Sequence, residues 1–241
     1  MTSSNAGAPG SPVYCSGPMF SIGDKREQHG IAKALEAAGF TTYLPQRDGI
    51  EVGKVMQLVN HPILEGWIAD KVMLQVRKWV FALDMYQLLE RCQSLVFNLD
   101  GRTPDDGSVV ETSAAFTAGK PIVIYKTSPI TMLAGADNPM VEGLSTSWSY
   151  VEDVKSVAAA LTTLMGTASK QTYKYAGPAN VTALMAEGKE VWDVLELLRD
   201  LPKDTPEDLA KWILAIGEHL AGGDKGKRFD RGKAPAAQAQ T

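Results

Sequence analysis

The chain has 241 residues, 44% of them hydrophobic and 22% charged, with a net charge of −4. That composition belongs to a folded globular protein and argues against a broad cationic surface for nucleic acid. No apolar run approaches the roughly 20 residues a membrane helix needs, and MTSSNAGAPGS at the start lacks the basic and apolar regions of a secretory signal, so we expect a cytoplasmic protein with neither a membrane nor a nucleic-acid partner.

In chain order, residues 1–11 read as a disordered start. PVYCS (Pro12–Ser16) is a first strand, closed by the turn signal Gly17-Pro18. From Asp24 to Ala38 the apolar residues Ile31, Ala34, Leu35 and Ala38 have helical spacing, and Gly39 is a natural stop. FTTYLP (Phe40–Pro45) is a second strand, followed by the polar turn Gln46–Gly49. Ile50 to Gly66 reads as a short helix plus loop. Asp70 to Cys92 reads as one long helix with Val72, Val76, Trp79, Val80, Leu83, Tyr86 and Leu89 mostly on one face, and with Asp84 beside that stripe. SLVFNLD (Ser94–Asp100) is a third strand. A turn over Gly101–Gly107 leads to a helix from Ser108 to Ala118, closed by Gly119. PIVIYK (Pro121–Lys126) is a fourth strand, TSWSYV (Thr146–Val151) a fifth, and Val154–Leu164 a helix.

Beyond Gly166 the pattern changes. Val181–Leu198 and Pro206–Leu220 read as two amphipathic helices, the second with Thr205-Pro206 as cap and first residue. The end, GGDKGKRFDRGKAPAAQAQT, has no apolar period and reads as a disordered tail. The expected organisation is thus an α/β domain over 12–166, a helical extension over 167–221 and a tail over 222–241. The two cysteines, Cys15 and Cys92, and the three scattered histidines have no metal-ligand spacing, so neither metal nor cofactor is expected.

Strands alternating with helices predict a parallel sheet covered on both faces, which binds ligands beyond the carboxyl ends of its strands. Three polar groups follow strand ends: Ser16-Gly17, Gln46-Arg47-Asp48 and Asp100–Glu111. The last, DGRTPDDGSVVE, holds Asp100, Asp105, Asp106 and Glu111. SVVE fits a capping box between Ser108 and Glu111. Two carboxyl groups on one rim also suit transfer at an N-glycosidic bond, with one ionised against an oxocarbenium-like state and one relaying a proton. Both readings stay open on the residues alone.

Four pieces carry a family resemblance: VYCSGPMFS (Val13–Ser21), YLPQRDG (Tyr43–Gly49), LDGRTPDDGSVVETSAAFTAGKPIV (Leu99–Val123) and DNPM (Asp137–Met140). Together they resemble the nucleoside 2-deoxyribosyltransferases. The resemblance implies a flavodoxin-like doubly wound parallel five-stranded sheet, here with a C-terminal helical extension. It also implies a double displacement that moves 2-deoxyribose between nucleobases, purines above all, with no cofactor and no metal. On it, Glu111 corresponds to the nucleophile, Asp105 to the partner of the leaving base, Asp84 to the aspartate that holds the glutamate, and Tyr14 to its hydrogen-bond donor. Gln46 corresponds to a base contact and Asn138 to a residue reaching a neighbouring subunit's sugar, which implies a homo-oligomer with shared sites. Ser16 and Gly17 would let substrate approach the backbone, Phe20 stands with Met19 where some members carry an aromatic pair, and Gly107 would keep the acidic turn tight. The common Glu-Leu-Gly is replaced by Glu111-Thr112-Ser113. Two other readings compete: an N-glycoside hydrolase of deoxynucleoside 5′-monophosphates, and a non-catalytic nucleotide-binding module.

Overall fold

The computed structural model describes residues 12–58, 60–64, 69–101, 104–130, 132, 135–168 and 177–221; the expected disordered start and tail lie outside them. Five strands form one sheet: β1 (Pro12–Ser16), β2 (Thr41–Tyr43), β3 (Ser94–Asn98), β4 (Ile122–Tyr125) and β5 (Tyr150–Val151). All neighbours are parallel, in the order β2-β1-β3-β4-β5. This is the flavodoxin-like order, and its chain reversal falls between β1 and β3. β3 and β4 are buried along their whole length, as expected of strands covered on both faces.

The helices are α1 (Ile22–Ala37), α2 (Pro45–Asp48), α3 (Val52–Met56), α4 (Ala69–Tyr86), α5 (Asp106–Thr117), α6 (Pro139–Glu142), α7 (Val154–Ala168), α8 (Ala179–Leu197) and α9 (Pro206–Ala221). By contact the chain divides into two compact units, one of Met1–Asp48 with Asp84–Met185 and one of Gly49–Leu83 with Ala186–Thr241.

The first unit contains the sheet. On one face Ile31, Ala32 and Leu35 of α1 and Val157, Leu161 and Met165 of α7 pack with Val13, Cys15, Val96, Val123 and Tyr125. Burying each large aliphatic side chain there contributes about 1.5–3 kcal/mol. α5 lies on the other face against β1, β3 and β4. Ser21 caps α1 in a box with Asp24, and Gly39 and Gly119, at φ 90° and 74°, close α1 and α5 in the left-handed region where a side chain would be strained.

In the second unit Leu58 and Leu64 pack with Ala210 of α9. Thr205 caps α9 by accepting from the Asp208 N–H at 3.1 Å.

Three local expectations change. Gln46–Gly49 is not a turn, because Pro45–Asp48 forms one helical turn. Pro45 supplies the helical φ, and Asp48 accepts the Leu44 N–H at 2.8 Å. The long helix is not uniform to Cys92: it widens into a π-turn over Gln87–Arg91, with the Cys92 N–H on the Gln87 carbonyl at 2.8 Å. The fifth strand shrinks to two residues because the Ser145 hydroxyl bonds the Ser149 carbonyl at 3.0 Å and rolls the chain into a turn.

Candidate functional site

Alternation along β1 puts Tyr14 and Ser16 on the same face, two residues apart. That face is the one α5 covers. The Tyr14 hydroxyl donates to Oε1 of Glu111 at 2.9 Å, and the Ser16 hydroxyl donates to Oε2 at 2.6 Å. Each carboxylate oxygen therefore has its own hydroxyl donor. One strand over, Tyr43 is the register partner of Tyr14, with ring centroids 5.3 Å apart. Its hydroxyl donates to Oδ1 of Asp84 at 3.2 Å.

The start of α5 corrects the expected cap. Asp105 is the N-cap, accepting from both the backbone N–H and the hydroxyl of Ser108, so the helix begins at Asp106 rather than Ser108. The capping box between Ser108 and Glu111 does not form. Asp caps a helix as well as Ser does, and Asp105 took the cap three residues earlier. Glu111 then falls in the second turn and its carboxylate turns to the sheet. Gly107 sits within the first helical turn, where an added Cβ would make only ordinary contact, at 3.4 Å from Asp105, so the tight turn expected of it is absent. Asp100 is structural: it accepts from the Thr127 and Ser128 N–H groups at 2.8–3.0 Å and ties the end of β3 to the end of β4.

Burial pushes the Glu111 carboxyl up to about 7, and the charge of Asp105 adds to this; the Ser16 and then the Tyr14 hydroxyls pull it back. Asp84 is raised by burial and by the charge of Glu111, against the Tyr43 and Tyr14 hydroxyls. Tyr14 is raised by burial, Asp84 and Glu111 and stays a neutral donor. Two part-buried carboxyls are thus held together by neutral hydroxyls, an arrangement in which full ionisation of both is costly. It can present one ionised carboxylate of near-neutral proton affinity.

Other expected residues fall elsewhere. Gly17 is needed for packing: an added Cβ would meet the Gln28 amide nitrogen at 1.5 Å. The Ser16 side chain is engaged with Glu111. Gln46 lies in α2, its amide nitrogen 3.4 Å from Nδ1 of His29. Asn138 caps α6 by accepting the Met140 N–H at 3.0 Å and is exposed. Phe20 is 83% exposed. It lines a cavity of about 860 Å³ with Ile130 and with Asp24, Asp100, Asp105 and Asp106.

Tyr43 and the hydroxyl role of Ser16 escaped sequence reading. The signal for Ser16 was its spacing of two from Tyr14; for Tyr43 it was a tyrosine near the carboxyl end of a strand that pairs with β1.

The family model for nucleoside 2-deoxyribosyltransferase matches residues 13–156. The chain belongs to that family. The matched span includes the five strands apart from Pro12 and every residue of the Tyr14–Ser16–Tyr43–Asp84–Glu111 cluster. The family is one of transferases acting on nucleosides. A solved structure described as a conserved protein from Enterococcus faecalis V583 is similar at 21% identity, covering 64% of this chain and 98% of that one, with a TM-score of 0.45. No curated protein matches the chain. Among the described residues, no helix is long and apolar enough to cross a membrane, and no group of three or more His, Cys, Asp or Glu is placed to hold a metal ion.

Proposed function

We propose that the protein moves 2-deoxyribose between nucleobases, purines above all, by double displacement through a deoxyribosyl ester on Glu111. The observation that carries this reading is the pair of hydroxyl donors, Tyr14 and Ser16, on the two oxygens of a carboxylate whose proton affinity burial has raised. A carboxylate fixed this way is poised to attack an anomeric carbon. In the first step Glu111 bonds C1′, the glycosidic bond breaks, and the departing base takes the electron pair. Asp105, in the lining of the cavity and at the start of the same helix, is the group that would relay a proton from water to that base. In the second step a nitrogen of the acceptor base attacks C1′ and the electron pair returns to Glu111. Deoxynucleosides and free nucleobases are the substrates, and Asp84, bonded by Tyr43, is the acid that would hold the nucleophile in place. Phe20 at the cavity would pack on the substrate, Gln46 would contact the base, and Asn138 would act from a neighbouring copy in a homo-oligomer. The pathway served would be nucleotide salvage in the cytoplasm.

The cavity lining supports a free 5′-hydroxyl over a 5′-monophosphate. Four aspartates line it, and their negative charge disfavours a phosphate beside them. Incubation of deoxyinosine with adenine tests the reading. Formation of deoxyadenosine supports it; release of hypoxanthine without deoxyadenosine would assign a hydrolase instead. Bound nucleoside with no turnover for any base pair would assign a binding module.

A further inference from the structure

We propose that Ser16 is a positioning residue for Glu111: its hydroxyl holds Oε2 in the ionised carboxylate and releases that oxygen to C1′. The inference rests on the reading of Glu111 as nucleophile. Its basis is the difference between the two donors. The Tyr14 ring is fully buried and packed against the Tyr43 ring, so its hydroxyl stays on Oε1. The Ser16 hydroxyl turns about one bond.

Forming the ester distinguishes the two oxygens. The one that bonds C1′ loses its charge and much of its acceptor strength, whereas the other becomes a carbonyl oxygen and still accepts. A donor on the attacking oxygen must let go, and a donor on the other is kept. The movable hydroxyl is on Oε2 and the fixed one on Oε1, so Oε2 attacks and Tyr14 stays with the ester carbonyl. The C1′–Oε2 bond forms as the C1′–N bond breaks, and the base leaves with the electron pair and gains a proton from water relayed through Asp105. When the acceptor nitrogen attacks, the C1′–Oε2 pair returns to the carboxylate, the acceptor loses its proton through Asp105 to water, and Ser16 donates again.

Before attack, the same hydroxyl opposes the groups that disfavour ionisation. Those acting on Glu111 are burial and the charge of Asp105 at the start of α5, while Tyr14 on β1 favours ionisation as Ser16 does; Asp84 on α4 is the neighbouring acid, itself raised by the charge of Glu111. The π-turn packed on α5 adds an exposed Glu90 and a half-buried Arg91.

The test is a titration that needs no turnover. Glutamate labelled with ¹³C at Cδ reports the ionisation midpoint of Glu111, assigned by its loss in Glu111→Gln. Ser16→Ala is expected to raise the midpoint by about one unit, equal to a tenfold lower ionised fraction below the midpoint. Ser16→Thr, which keeps the hydroxyl, is expected to restore it. A midpoint unmoved in Ser16→Ala, or moved equally in Ser16→Thr, would overturn the proposal. In a crystal structure of a 2-fluoro-sugar adduct, C1′ should sit on the oxygen facing Ser16; C1′ on the Tyr14 oxygen would also overturn it. Absence of base exchange by the wild type would refute the proposed function, while the titration would still decide the effect of Ser16 on Glu111.

Discussion

Tyr14 and Tyr43 are register partners on neighbouring parallel strands, and each donates its hydroxyl to a different carboxylate. Tyr14 serves Glu111 and Tyr43 serves Asp84. The tilted pair of rings, 5.3 Å apart, therefore fixes the spacing of two acids that come from different helices. The two acids titrate as a pair, since the charge on one raises the other.

From this pairing follows a pH prediction. The free enzyme needs Glu111 ionised, so kcat/KM should fall as pH drops through about 7. Asp84→Asn removes the acid that titrates together with Glu111 but keeps an acceptor for Tyr43. Its acid limb should move to lower pH. An unmoved limb would mean that Asp84 does not set the charge state of Glu111.

Glu111 should also cost stability at high pH. Its carboxyl titrates near 7 in the folded state, above the ordinary 4.5, so between those values the native state binds more protons than the unfolded state. Stability from this group is present at low pH and is lost as pH rises through 7. Glu111→Gln abolishes the loss. Thermal unfolding should show the variant gaining on wild type from pH 4 to pH 8, by up to about 3 kcal/mol. A constant difference across that range would contradict the raised value.

Much of this was legible in the sequence. The continuous apolar runs at Leu95–Phe97 and Ile122–Ile124 marked buried parallel strands, and Gly39 and Gly119 marked helix ends. The acidic stretch pointed to Glu111 and Asp105. The cap was misplaced because Ser108 and Asp105 are equally good N-caps, and local sequence does not say which one wins. The π-turn at Gln87–Arg91 has no local signal. Ser16 and Tyr43 were hidden for a different reason: their partners are 95 and 41 residues away, and only strand register brings them together.

Asp105 carries two duties that one pair of variants separates. Asn caps helices as well as Asp does, so Asp105→Asn should leave stability within about 0.5 kcal/mol while Asp105→Ala loses about 1 kcal/mol. Both should slow turnover about 10²-fold with little change in KM, if proton delivery is the role. Full turnover in Asp105→Asn, or a rise in KM alone, would reduce Asp105 to a cap or a binding group.

Gly17 should be intolerant of a side chain because of Gln28. Gly17→Ala should destabilise the fold by about 1–3 kcal/mol, and Gln28→Ala in the same chain should return part of that loss. No recovery in the double variant would show that the Asn98 Cβ, 2.8 Å from the added atom, rather than the amide of Gln28, excludes a side chain.

The central claim is that Glu111 carries the sugar. Incubation with a 2-deoxy-2-fluoro nucleoside, followed by digestion and mass spectrometry, reads it directly. The account predicts one fluorinated pentosyl adduct, on the peptide containing Glu111, that disappears in Glu111→Gln; an adduct on any other residue would contradict it.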